Sequence, residues 1–179
     1  DMGLMPKTLY SYQVSAVDAF GNESEKSNAV SVTTGFTTQY VIDENLAEKV
    51  GAWTVVTGSG YGSDYAWTPS TLTDTKSAKW TPSIEVAGYY DVFACWTIGA
   101  DRPTDAKYTV VYDGGSVVTP VNQTINGGSW NLIASNKPFK SGTGGYVILN
   151  SGTAVAGKTL VADAVRFLYK SVYDYTAPS

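Results

Sequence analysis

The sequence has 179 residues and a formal net charge of −4, and only 16% of its residues are charged. This composition suits many short strands joined by turns and argues against helix bundles and coiled coils. Without a basic stripe to neutralise phosphates, nucleic acid and anionic membrane surfaces are poor partners. Because no apolar run approaches the roughly 20 residues of a membrane helix, we expect no membrane insertion.

The single cysteine, Cys95, lies in the middle of an apolar run, Val92-Phe93-Ala94-Cys95-Trp96. No intrachain disulfide is therefore possible, and the apolar setting predicts a buried, inert thiol rather than a reactive one. A β-rich chain that folds without disulfides suits a bacterial exported protein.

The first segment predicts two strands joined by a polar loop. The run Leu9–Val17 alternates, with Tyr10, Tyr12, Val14 and Ala16 on one face, and a second alternating run covers residues 29–33. Alternation of this kind is the signature of half-buried strands.

The stretch Leu4-Met5-Pro6-Lys7-Thr8-Leu9-Tyr10, followed by Gly21-Asn22-Glu23-Ser24, resembles the end of a bacterial fibronectin type III domain. In that family the stretch forms a tyrosine corner, which would give Tyr10 a structural role. The resemblance covers only the last third of such a domain, so residues 1–35 are interpreted as its C-terminal fragment. Two strands bury too little surface to fold alone. The remaining strands are expected either in the same protein or in a neighbouring chain.

Residues 171–179 contain Asp174-Tyr175-Thr176-Ala177-Pro178-Ser179, which resembles the linker that opens a further fibronectin type III repeat. We therefore expect a multi-domain parent protein. The expected partners are neighbouring modules or chains of the same assembly.

The second segment, residues 38–170, has a normal domain size and reads as a series of short strands with no βαβ alternation. Asp113-Gly114-Gly115 is a strong hairpin signal. This pattern predicts an all-β, antiparallel β-sandwich of jelly-roll type. The predicted strands are 40–44, 51–56, 77–82, 88–96, 106–112, 116–122, 130–133, 146–149 and 160–168.

This segment resembles the golvesin C-terminal-like domain, which also occurs at the end of bacterial xanthan lyases. The resemblance rests on five stretches, in order: Trp80-Thr81-Pro82, residues 87–96, Arg102 ahead of residues 106–110, residues 126–133 and residues 162–167. It implies a β-sandwich accessory domain of secreted, multi-modular bacterial proteins, with a poorly defined activity of its own. An extracellular or cell-surface location follows from the same resemblance.

The chain contains no histidine, which removes His-based triads and imidazole metal sites. Asp101 and Asp105 flank Arg102, but carboxylates in such a loop are more often turn residues or surface ion pairs than a catalytic pair. No calcium-loop, phosphate-loop or cysteine-cluster motif is present. We predict no enzymatic activity, no cofactor and no metal.

Aromatic residues offer the more informative pattern. Trp96 and Trp130 have apolar strand neighbours, as does Trp80, so core packing is favoured over a ligand platform. Tyr61, Tyr65 and Trp67 are predicted instead to lie in a glycine-rich loop, where burial is harder. They either pack on the end of the sandwich or an adjoining module, or stack on sugar rings. In the second case Arg102, Asp64 or Asn122 would supply polar partners.

Asp163 alternates with Val161 and Val165 and should therefore face inward. A buried carboxylate must be paired or hydrogen-bonded. Arg102 or backbone N–H groups of the opening loop are the expected partners, and a structural clamp is favoured over a functional site.

These residues suggest three candidate functions. The first is a non-catalytic structural or adhesive module that assembles with neighbouring modules or chains. The alternative is a carbohydrate-binding accessory domain that holds a secreted enzyme or adhesin on polysaccharide. The third, a hydrolase or lyase, has only Asp101 and Asp105 in its favour.

Overall fold

The structure is a computed structural model that describes residues 8–172. The chain divides into two compact units, Asp1–Thr37 and Thr38–Ser179. No helix within the described range is long and apolar enough to cross a membrane. The strands are β1 Leu9–Tyr12, β2 Val30–Thr33, β3 Gln39–Ile42, β4 Glu48–Val50, β5 Thr54–Thr57, β6 Asp64–Pro69, β7 Ser77–Trp80, β8 Gly88–Ala94, β9 Ala106–Tyr112, β10 Gly115–Val121, β11 Asn131–Phe139, β12 Tyr146–Asn150, β13 Thr159–Ala162 and β14 Val165–Val172, with two 3-10 turns at Glu44–Leu46 and Tyr61–Ser63.

The first unit contains the two predicted strands, both shorter than their alternating runs. β1 and β2 pair antiparallel, with Tyr10 opposite Val32. Within residues 8–172, this two-stranded sheet includes no further strand. Several of its apolar side chains face solvent, and Phe20 is 92% exposed. The resemblance of this unit to a fibronectin type III domain remains a prediction.

The second unit is an antiparallel β-sandwich, which confirms the predicted fold class. Its strands form three antiparallel sheets. The five-stranded sheet has the order β10-β9-β12-β7-β4 and the four-stranded sheet the order β11-β8-β14-β3. A third sheet has the order β13-β6-β5. The first strand of the unit, β3, therefore pairs with the last, β14.

The core forms because the central strands alternate between buried and half-buried residues. β8 alternates strictly along Gly88–Ala94, so that Tyr90, Val92 and Ala94 point into one cluster. β9 adds Tyr108 and Val110 in the same way. Side chains buried from two facing sheets are the pattern expected of a sandwich.

Two of the tryptophans predicted for the core lie there. Trp80 is fully buried, and its indole N–H donates to the backbone carbonyl of Asp163 at 3.1 Å. Trp96 is also buried and donates to the carbonyl of Ile125 at 3.0 Å. Both rings pack near the ring of Tyr108, with centroids 6.2 and 6.4 Å away. Cys95 is buried as predicted.

The predicted hairpin at Asp113-Gly114 is present between β9 and β10. Tyr112 pairs with Gly115 across a two-residue loop. Gly114 has a φ of +86°, which explains the glycine, because tight hairpin turns need residues in the left-handed region.

The predicted last strand, residues 160–168, is wrong in one respect: it is two strands in two sheets. β13 pairs with β6, whereas β14 pairs with β3 and β8. The chain leaves one sheet for the other at Asp163 and Ala164. These two residues are held there by the Trp80 bond to the Asp163 carbonyl and by a bond from Cys95 N–H to the Ala164 carbonyl, 2.9 Å long.

The side-chain amide of Gln123 pairs with the backbone of β13 in the way that a neighbouring strand would. It is fully buried. Its amide N–H donates to the Val161 carbonyl at 2.8 Å, and its amide oxygen accepts from the Val161 N–H at 3.0 Å. The side chain thus satisfies both backbone polar groups of Val161 in β13, as a paired strand would.

Candidate functional site

The glycine-rich loop at residues 58–64 presents Tyr61 at the surface of the second unit. Gly60 and Gly62 have positive φ values of 96° and 67°. A side chain at Gly60 would collide with the backbone carbonyl of Asp64, since a Cβ there would lie 2.1 Å from the oxygen. The tight backbone leaves the Tyr61 side chain 40% exposed.

Tyr61 and Trp130 form a pair of contacting rings. Their centroids are 5.3 Å apart and the rings are tilted by 57°. The Arg166 guanidinium lies 4.8 Å from the centroid of Trp130 and 4.5 Å from that of Phe93. Distances of this size allow cation–π attraction. We call these four residues the aromatic surface.

Trp130 was predicted for the core, and this is wrong. It is half-buried and lies outside the core cluster of the described residues. The prediction rested on apolar neighbours in β11, but Trp130 precedes that strand and projects towards Tyr61.

The prediction that Tyr65 and Trp67 lie in the glycine-rich loop is wrong, because both are half-buried on strand β6. Their neighbours also differ from those of Tyr61. Arg102 lies 6.0 Å from the centroid of the Tyr65 ring. Trp67 packs against the core cluster and pairs with Val161 in the sheet. Of the three predicted loop aromatics, Tyr61 is therefore the exposed one.

Arg102 is engaged within its own loop. Its guanidinium donates to both carboxylate oxygens of Asp101, at 2.9 and 3.1 Å. Its Nε donates to the Thr97 carbonyl at 3.4 Å. A pocket of about 220 Å³ adjoins it, lined among others by Thr104, Asp105, Thr124 and Lys158. Arg102 is therefore not the partner of Asp163, because its hydrogen bonds go to the Asp101 carboxylate and the Thr97 carbonyl.

Asp101 and Asp105 each accept hydrogen bonds from nearby groups of the chain. Besides Arg102, Asp101 accepts from the Thr159 hydroxyl, and its pKa lies below the ordinary value because of that bond and the charge of Arg102. Asp105 accepts from the Ala154 N–H at 2.7 Å. The two carboxylates therefore have different hydrogen-bond partners.

Asn122 caps its own turn. Its side-chain oxygen accepts from the N–H and the hydroxyl of Thr124, at 2.9 and 2.7 Å. This arrangement is an Asx-type turn, in which the side chain replaces a backbone acceptor.

Asp163 is buried, as predicted, with 1% of its surface exposed. One carboxylate oxygen accepts from the N–H of Tyr61 at 3.0 Å, so a backbone N–H of the glycine-rich loop is its partner. Among the described residues the other oxygen has no hydrogen-bond partner. Burial, with the negative charges of Asp43 and Asp64, raises the pKa of Asp163 to about 7.

Three further carboxylates converge beside Asp163. Of these the sequence pointed only to Asp64, as a possible partner of a sugar, and gave no sign of the cluster. Oxygen atoms of Asp43, Glu44 and Asp64 all lie within 4.8 Å of one another. Glu44 is buried and begins the 3-10 turn that follows β3. No spacing motif marks this cluster, because Asp64 lies 20 positions beyond Glu44 and enters through a different strand.

The sequence of the second unit is similar to that of a known protein family. The profile of the Golvesin C-terminal domain family matches residues 37–169. The chain belongs to this family. The described second unit is therefore a Golvesin C-terminal domain, as the resemblance indicated.

Two curated relatives contain a similar stretch. Xanthan lyase of Bacillus sp. (strain GL1) is 31% identical over 123 residues, which are 67% of this chain and 13% of that protein. Golvesin of Dictyostelium discoideum is 27% identical over 132 residues, 69% of this chain and 21% of that protein. The chain thus spans less than a quarter of either relative.

Solved structures agree with the fold. Paenibacillus xanthan lyase matches with a TM-score of 0.69 and 32% identity, covering 84% of this chain and 15% of the lyase chain. An exo-β-1,3-galactanase from Phanerochaete chrysosporium matches with a TM-score of 0.50 and 15% identity, covering 79% of this chain and 32% of that chain. The second likeness shows the fold alone.

Proposed function

We propose that this Golvesin C-terminal domain is a non-catalytic accessory module that binds polysaccharide for a larger extracellular protein. The observation that carries the proposal is the exposure of Tyr61 while its ring rests on Trp130. A ring held in place by a neighbour loses little freedom when it stacks on a ligand, which favours binding.

The aromatic surface has the chemistry that sugar rings require. The C–H faces of a sugar are apolar and pack on aromatic rings, whereas its hydroxyl groups need hydrogen-bond partners. Tyr61 and Trp130 offer both, since each combines an apolar ring with a polar group. The glycan hypothesis required at least one exposed ring among Tyr61, Tyr65 and Trp67, and Tyr61 meets this requirement.

A non-catalytic role is supported by the hydrogen bonds of Asp101 and Asp105, the two carboxylates that the sequence offered as a catalytic pair. Two carboxyl groups acting on a glycosidic bond must face a common space. Asp101 is instead bonded to Arg102 and Thr159, and Asp105 is bonded to the Ala154 backbone. The proposal assigns catalysis to other parts of the parent protein.

The relatives support polysaccharide as the ligand class and an extracellular location. Xanthan lyase is named for a polysaccharide, and the matching region is only 13% of its length. A small region beside a much larger remainder is the arrangement expected of an accessory module.

Affinity gel electrophoresis tests the proposal with xanthan and with neutral glucans in the gel. The chain should be retarded by at least one polysaccharide. Tyr61→Ala and Trp130→Ala should each weaken binding at least about fivefold, as the loss of a central aromatic contact does elsewhere. Circular dichroism checks that both variants are folded.

The matched control is Phe20→Ala, because Phe20 is also an exposed aromatic residue but belongs to the first unit. Its retardation should equal that of the unaltered chain. If no polysaccharide retards the chain, or if Tyr61→Ala binds as tightly as the unaltered chain, the proposal is wrong.

A second function, that of a structural or adhesive module, is favoured by the first unit. Leu9, Val14, Phe20 and Val30 are all exposed on or beside a sheet of two strands. Exposed apolar groups on so small a sheet are a surface for further strands. We infer that neighbouring modules or chains cover them.

Hydrogen exchange at low and high protein concentration tests this second function. Protection of the amides of Leu9–Tyr12 that rises with concentration would support pairing with another chain. Rapid exchange at every concentration, also in the presence of a neighbouring module, would contradict it.

A further inference from the structure

Three carboxylates from two separate segments meet at the end of β3. Asp43 and Glu44 follow β3 directly, and Asp64 begins β6. Their oxygen atoms lie within 4.8 Å of one another. Like charges at such distances repel, so the arrangement is costly unless a cation lies between the carboxylates or one of them is protonated.

Glu44 supplies an independent indication of a ligand. It is 1% exposed, and among the described residues neither of its carboxylate oxygens has a hydrogen-bond partner. Lys49, the nearby cation, donates to the backbone carbonyl of Glu44 and not to its carboxylate. The Asp43 carboxylate brings no donor of its own when both groups are ionised. Buried carboxylates without partners are rare and need an explanation.

Asp163 adds a fourth acidic group to the same region. It accepts from the N–H of Tyr61, in the loop that also carries Gly62 and leads into Asp64. Its second carboxylate oxygen is buried and, among the described residues, has no hydrogen-bond partner.

The donor set selects the kind of cation. All three ligand groups are carboxylates, and the chain contains no histidine, so a hard, oxygen-binding ion is favoured over zinc or copper. Oxygen atoms on opposite sides of Ca²⁺ stand about 4.6–5.2 Å apart, given Ca–O distances of roughly 2.3–2.6 Å. The observed limit of 4.8 Å fits one such ion. Mg²⁺ would require the oxygens to draw closer, because it binds oxygen at about 2.0–2.1 Å.

We propose that Asp43, Glu44 and Asp64 bind one Ca²⁺ ion, which ties the glycine-rich loop to the end of β3. The loop closes over the cluster at Gly62, where an added Cβ would lie 2.3 Å from an oxygen of Asp43. The ion replaces repulsion among the carboxylates with attraction. It thereby stabilises the backbone that carries Tyr61.

Calorimetric titration and thermal unfolding test the site with CaCl₂ alone. After treatment with a chelator, the chain should bind one equivalent of Ca²⁺, and its melting temperature should rise with the Ca²⁺ concentration. Both effects should be lost in Glu44→Gln and in Asp64→Asn. Glu48→Gln is the matched control, because Glu48 is an exposed acid of the adjoining strand β4, and it should respond as the unaltered chain does.

Glu44→Gln separates a lost site from a damaged fold. Without Ca²⁺ this variant should melt at the same temperature as the chelator-treated chain or higher, because it removes a buried negative charge from the cluster. With Ca²⁺ it should melt below the unaltered chain. The proposal predicts both the loss of the Ca²⁺ response and this order of melting temperatures.

Three results would overturn the site. They are no Ca²⁺ binding by the chelator-treated chain, a Ca²⁺ response retained in both Glu44→Gln and Asp64→Asn, and an equal response to Mg²⁺. No polysaccharide is present in these measurements, so their failure would leave the proposed glycan binding untouched.

Discussion

The backbone N–H of Tyr61 donates a 3.0 Å hydrogen bond to the buried carboxylate of Asp163, across 102 positions of sequence. This bond holds the exposed tyrosine of the glycine-rich loop to the point where the chain passes from β13 to β14. The most exposed ring of the aromatic surface is therefore anchored in the interior of the sandwich.

We expect Asp163→Ala to be less stable than Asp163→Asn by about 1–2 kcal/mol, since only the amide keeps an oxygen that can accept from the Tyr61 N–H. Both variants remove the negative charge, so the difference between them excludes the charge effect and reflects the side-chain amide with its hydrogen bond and volume. Urea unfolding in the presence of a chelator measures the difference. Equal stability of the two variants would show that the bond contributes nothing.

Asp91, on β8, links the two strands that flank β8 in the four-stranded sheet, β11 and β14. Burial alone would raise its pKa, but bonds from the Asn136 N–H and the Ser135 hydroxyl and the ion pair with Lys170 hold the pKa below its ordinary value. Because the pKa is lower in the folded state, the stabilisation is present above the ordinary value near 3.8 and disappears as the pH falls through the folded-state value.

Asp91→Ala should lose about 1–3 kcal/mol of unfolding free energy at neutral pH, and the gap to the unaltered chain should begin to narrow below about pH 4. Urea unfolding from pH 3 to 8 measures this dependence. Glu48→Gln serves as the control, because its ion pair with Lys79 is exposed and should be worth less than about 1 kcal/mol. A gap independent of pH would contradict the prediction.

Gln123 allows a test of how much a side chain contributes in place of a strand. Gln123→Met keeps most of the volume but leaves the N–H and carbonyl of Val161 without their partner. Two buried groups left unsatisfied should cost about 2–4 kcal/mol. A loss below about 0.5 kcal/mol in chemical denaturation would indicate that Val161 finds other partners.

Cys95 should be unreactive in the folded chain. It is buried, and burial together with the charge of Asp163 raises the pKa of its thiol to about 11. Because the thiolate is the reactive form, Ellman's reagent at pH 8 should label the thiol slowly in native buffer and rapidly in concentrated urea. Equally fast labelling in both conditions would contradict this.

Much of the sandwich could be predicted because local patterns agree with it. The alternation of β8 and β9 fixes which side chains face the core, and Asp113-Gly114 fixes the hairpin that follows. These signals depend only on residues that are close in sequence, and the tertiary structure agrees with them.

The remaining features depend on contacts between distant residues, which one sequence does not display. The apolar run at residues 160–168 reads as one strand, and only its partners in two sheets reveal the break at Asp163. Trp130 has core-like neighbours in sequence, yet it lies against Tyr61. The acidic cluster joins Glu44 to Asp64 through folding alone.

The pairing of β3 with β14 has a consequence for synthesis of the domain. β3 is the first strand of the second unit to leave the ribosome, and its sheet partner β14 is the last. Until β14 emerges, β3 has no hydrogen-bonded neighbour and β8 lacks one of its two. Final closure of the four-stranded sheet must therefore follow translation of the whole domain. The nascent chain depends in the meantime on protection of its unpaired apolar strands.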